Sequence, residues 1–78
     1  MNLTTITQGL NTIYNDSNDW ATQQACYNIG WACSSCRVSG LVEQAIADSD
    51  LVDLVGEVAA HCPTMSGVAQ FLNQKFAS

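Results

Sequence analysis

The sequence predicts an all-α fold, a small single-domain bundle of about four to five short helices occupying residues 1–78. Three observations carry this expectation. Apolar residues recur at helical spacing in successive segments, cap-rich polar joints separate those segments, and no alternating polar–apolar run is long enough for a convincing strand. No internal repeat is present.

Leu3, Ile6, Leu10, Ile13 and Tyr14 define a first amphipathic helix over residues 3–14. Gly9 within it lowers helix propensity by about 1 kcal/mol relative to alanine. Residues 15–19 are turn chemistry, with Ser17 or Asn18 as the expected cap of the next helix. That second helix begins near Asp19, and it either runs to about Cys36 or breaks at Gly30. Leu41, Val42, Ala45 and Ile46 make a short third helix after Ser39-Gly40. Following the joint at residues 48–50, Leu51, Leu54, Val55, Val58, Ala59 and Cys62 form a nearly ideal apolar stripe. Pro63 ends that fourth helix, and Thr64 can cap a last one whose inner face is Met65, Val68, Ala69, Leu72 and Phe76.

Hydrophobic residues make up 47% of the chain, which suits a globular core, while charged residues at 12% are about half the usual share. The net charge is −5, with Arg37 and Lys75 as the only cations. A surface of this kind cannot neutralise phosphates, so direct nucleic-acid binding is not expected. Its electrostatic complement is a basic partner, although the same charge also serves solubility. The N-terminus shows no secretory leader, and no apolar run approaches a membrane span, so a cytoplasmic location without membrane insertion is expected.

The stretch from Trp20 to Cys36 contains no charged residue, yet it holds both tryptophans and most of the cysteines. Projected at about 100° per residue, Trp20, Tyr27 and Trp31 fall close to one line. Ala25, Ile29, Ala32, Cys33 and Cys36 occupy the opposite side, whose small residues suit close helix packing. Gln23, Gln24, Asn28, Ser34 and Ser35 flank the aromatic line with uncharged polar groups. Two readings stay open for that line: it packs beneath the first or last helix, or it is a contact face of the kind in which Trp and Tyr carry binding energy.

Cys33-Ser-Ser-Cys36 has CxxC spacing, with Cys26 before it and Cys62 far beyond. Core thiols, a structural disulfide and a metal site are all compatible with this pattern. The metal alternative, zinc or an iron–sulfur cluster, draws on Cys33, Cys36, Cys62 and either Cys26 or His61. A thioredoxin-like role would require CxxC at the start of a helix after a strand, a context this chain lacks. Adjacent His61 and Cys62 project about 100° apart on a helix, which disfavours a nucleophile–base pair.

Asp50, Asp53 and Glu57 share one face of the fourth helix, opposite its apolar stripe. Glu43 and Asp48 extend this acidic region, which is either a solvated face or a docking strip for basic residues. No catalytic constellation appears, and no cofactor is expected. The composition predicts a non-enzymatic interaction module, an inhibitor or modulator of a larger protein that has a basic or apolar patch. It resembles, in composition alone, the small acidic inhibitors that phages and mobile elements direct at nucleic-acid-handling machinery. Partner binding is assigned to Trp20, Tyr27, Trp31, Asp50, Asp53 and Glu57, with metal or redox chemistry at the cysteines, or self-association as a homodimer, as the alternatives.

Overall fold

A computed structural model describes residues 3–35, 38–62 and 64–76. Among them the chain forms five α-helices and no strand: α1 (Leu3–Asp16), α2 (Trp20–Ser34), α3 (Gly40–Ala47), α4 (Leu51–His61) and α5 (Met65–Phe76). The all-α bundle expected from periodicity is therefore the observed fold. Pro63, expected to end α4, lies outside the described residues.

The caps explain where the helices start. Asp19, rather than Ser17 or Asn18, caps α2: its Oδ2 accepts from the Thr22 amide at 3.1 Å and the Thr22 hydroxyl at 2.7 Å. These bonds hold the Asp19 carboxyl below its ordinary pKa, the Thr22 hydroxyl contributing most. Ser17 is used one step earlier, its hydroxyl accepting from the Asp19 amide. Ser39 caps α3 by accepting from the Val42 amide, and Asp50 caps α4 by accepting from the Val52 amide. Thr64 opens α5 as predicted, its hydroxyl accepting from the Gly67 amide and its carbonyl from the Val68 amide.

Helix α2 is the organising element, packing against α1, α4 and α5, while α1 also meets α3 and α4. Ile6 and Leu10 of α1, Ile29 of α2, Ile46 of α3, and Val58 and Leu72 from α4 and α5 are among the buried residues of one core. Ala25, Ala32 and Cys33 are buried on the inner side of α2, where small side chains permit close approach. Leu41 departs from its expected role. It stands 83% exposed on α3, because Val42 and Ile46 fill the inward positions of that short helix.

Two glycines illustrate the difference between packing and propensity. A Cβ at Gly9 would come within 2.5 Å of the Leu51 side chain, so the propensity lost in α1 permits close contact with α4. At Gly56, in the exposed interior of α4, an added Cβ would meet nothing within 4 Å beyond the helix's own nearby backbone and its chain neighbours. Gly56→Ala is therefore expected to stabilise the fold by about 0.5–1 kcal/mol, read as a higher midpoint in chemical denaturation. An unchanged or lower midpoint contradicts the open environment of this position.

Candidate protein-interaction face

A tight turn at residues 17–19 folds α1 and α2 into a helical hairpin. Its antiparallel register is visible in side-chain placement. Tyr14 borders a hollow with Gln23 and Tyr27, whereas Leu10 lies beside Gly30. The inner side of the hairpin is closed by the remaining helices, and its outer side carries the aromatic line.

Helix α2 continues through Gly30 to Ser34. Trp20, Tyr27 and Trp31 consequently keep a common side, with exposures of 74%, 59% and 40%. Between α1 and α2 runs a groove of about 580 Å³, with buried Leu10 and Cys26 at its floor and Tyr14, Tyr27 and Trp31 along its length. A smaller hollow of about 250 Å³ extends it toward Trp20, sharing Tyr14 and Tyr27 with the main groove.

Tyr14 was expected with the apolar residues of α1, yet it is 43% exposed and faces the groove. Helix geometry carries the missed signal: Tyr14 projects about 100° from Ile13 but only about 20° from Thr7, a residue that also lines the groove. Asn28 departs in the other direction. Expected on the polar flank of the aromatics, it is buried, and its Oδ1 accepts from Gln24 Nε2 at 3.1 Å. A buried amide held by a neighbour one turn away avoids the cost of an unpaired polar group.

On the α2 side the groove's polar rim is turned onto its own backbone, whereas Thr7 and Asn11 line the α1 side as exposed polar residues. The Ser34 and Ser35 hydroxyls donate to the carbonyls of Gly30 and Trp31, both at 2.8 Å. Gln23 Nε2 donates to the Ser17 carbonyl at 2.8 Å, tying the turn to α2. These side chains therefore offer little outward donor capacity, and their oxygens remain as acceptors beside the aromatic surface.

The acidic residues divide between structural and open roles. Asp50 is exposed but uses one oxygen as the α4 cap, and Asp53 is exposed in the first turn. Glu57 forms an ion pair with Lys75 across α4 and α5, so its charge is already matched. The strip of three acids expected from spacing is thereby shortened. Lys75 also lies 5.6 Å from the Phe71 ring centroid, within cation–π range.

Cys26, Cys33 and Cys62 are buried free thiols. Among the described residues no three His, Cys, Asp or Glu side chains come together as a metal-binding group, so Cys26, Cys33, Cys62 and His61 supply no such set by themselves. Cys36, the other half of the CxxC pair, lies outside the described residues. His61 is exposed and Cys62 buried, in keeping with their divergent projection. Burial pushes all three thiols upward, and Cys33 reaches about 11, with Glu43 adding to the effect of burial. Such thiols are protonated hydrophobes at neutral pH rather than nucleophiles.

A pH dependence follows for Cys33. Its folded pKa exceeds the ordinary value of 9.0, so the native state retains a proton that the unfolded chain releases. The associated stability is complete below about pH 9 and is lost as pH rises toward about 11, on the order of 1–2 kcal/mol. Denaturation midpoints from pH 8 to 11 should fall less steeply for Cys33→Ala than for the parent chain. Identical slopes would remove Cys33 as the source.

No family model, curated protein or solved structure matches this chain. Its functional reading therefore rests on the geometry of the hairpin face. Among the described residues, no helix is long and apolar enough to cross a membrane.

Proposed function

We propose that this chain is a non-enzymatic interaction module that binds one larger protein through the outer face of the α1–α2 hairpin. The observation carrying this reading is the gathering of Tyr14, Trp20, Tyr27 and Trp31 on one uncharged, outward-facing side. Large rigid aromatics supply much contact area at small entropic cost, and interface centres are enriched in them and depleted of charge. The net charge of −5 supports a partner with a basic surface surrounding an apolar patch. Nucleic-acid-handling proteins belong to that class, and a module of this kind acts by occupancy, as an inhibitor or modulator.

Affinity capture from the source cell, with the parent chain beside Trp20→Ala and Asp53→Lys, tests the proposal. The expected result is a protein retained by the parent, strongly reduced by Trp20→Ala, and weakened by Asp53→Lys and by salt. Asp53 is the better charge reversal because Asp50 also caps α4. A set of retained proteins identical for all three baits, or no retained protein, overturns the proposal.

A further inference from the structure

We infer that the occupant of the α1–α2 groove is a cationic amphipathic α-helix of the partner. This rests on the interaction-module reading and specifies what the face accepts. From Trp20 to Ser34 the α2 side of the groove is about 21 Å long, at about 1.5 Å per residue, which matches roughly four turns of a second helix. The lining is a seam between two antiparallel helices, the surface on which a third helix packs with side chains at i, i+4 and i+7.

Hydrogen bonding separates a helix from an extended peptide or a sugar. Both of those bring polar groups that need partners when covered. The Ser34, Ser35 and Gln23 donors are already directed to the carbonyls of Gly30, Trp31 and Ser17. Helices α1 and α2 present no open sheet edge on which a strand could pair. A helix satisfies its own backbone internally, so covering this aromatic floor adds no unmatched backbone groups, and its polar side chains can meet Thr7 and Asn11 on the α1 side.

Charge separates a foreign helix from a second copy of this chain. Asp16 ends α1 and Asp19 caps α2 through its Oδ2, so both exposed acids belong to the turn that precedes Trp20, outside the groove lining itself. A second copy would bring another net −5, and its only cations are Arg37 and Lys75, the latter already paired with Glu57. Lys and Arg on the flanks of the incoming helix complement both the acidic turn and the whole molecule.

The test selects displayed random 16-residue peptides against the intact 78-residue chain. Enriched peptides are then synthesised and titrated into the parent chain and Tyr27→Ala. The expected sequences carry large apolar residues at i, i+4 and i+7 with Lys or Arg elsewhere. They should bind one to one, gain helical circular dichroism, and weaken at least tenfold on Tyr27→Ala or on a central proline in the peptide. Tyr27 is largely exposed, so that variant retains the fold, which its own circular dichroism checks. Proline-rich, unpatterned or acidic winners, binding indifferent to Tyr27, or no enrichment overturn the inference. A dimer in light scattering that Tyr27→Ala dissolves overturns it in favour of self-association. Should cellular capture remain Trp20-dependent while the library yields no patterned helix, the interaction module stands and the helical occupant falls.

Discussion

Ile29→Ala is expected to destabilise the domain by about 2–5 kcal/mol, the range for removing a large aliphatic side chain from a packed core. Ile29 is fully buried at the centre of α2, the helix that contacts α1, α4 and α5. Few neighbouring elements can collapse into the space without losing contacts elsewhere, which favours the upper part of that range. Chains of this length have a total stability of about 4–12 kcal/mol, at roughly 0.05–0.15 kcal/mol per residue. One such substitution therefore consumes a large share of it. Each kcal/mol corresponds to about 4–8 °C for a domain of this size, so a fall of at least about 10 °C is expected in thermal unfolding followed by circular dichroism. Ile29→Val, which removes one methylene, should cost only about 0.5–1.5 kcal/mol. A melting temperature for Ile29→Ala within about 4 °C of the parent contradicts the central placement of α2.

Trp20→Ala has the largest expected effect on binding and almost none on stability. The side chain is 74% exposed, so the folded chain loses little packing when it is removed. In the proposed complex the same ring becomes covered beside the Tyr14–Tyr27 hollow. Truncating a large aromatic anchor that becomes covered commonly costs about 2 kcal/mol or more, close to thirtyfold in affinity. Isothermal titration with the captured partner, alongside thermal unfolding of the free chain, separates the two quantities. The expected outcome is an affinity loss of about tenfold to a hundredfold with a melting temperature shifted by less than about 3 °C. Leu41→Ala provides the control, because Leu41 is more exposed still but lies on α3, away from the groove lining. Equal losses for Trp20→Ala and Leu41→Ala would indicate general apolar adhesion and remove the specific face.

The contrast between Trp20 and Ile29 shows why one helix supports both predictions. An uncharged helix can be buried on one side and offer the other, provided its axis stays continuous. Gly30 left this open in the sequence, since glycine weakens a helix without obliging it to end. The packed neighbours decide it: Leu10 lies against Gly30, and α2 is held from three directions.

Helix existence and approximate ends were legible in the sequence because periodicity and capping are local properties. The stripe of α4, the joint at residues 48–50 and the Thr64 cap all follow from side chains within a few positions of one another. The composition of the two sides of α2 was legible for the same reason. Which side chains meet across helices was not. Tyr14 joins the aromatic face only because α1 folds back antiparallel on α2, and Asn28 is buried only because neighbouring helices cover its side of α2. Glu57 leaves the acidic strip because α5 carries Lys75 to it, a pairing between residues far apart in the chain. Sequence spacing alone determined the helices and the uncharged aromatic line, since a helix projects its residues at fixed angles. The tertiary structure alone decided which line stayed open and which charges were matched, since burial and ion pairing depend on the neighbours a helix acquires.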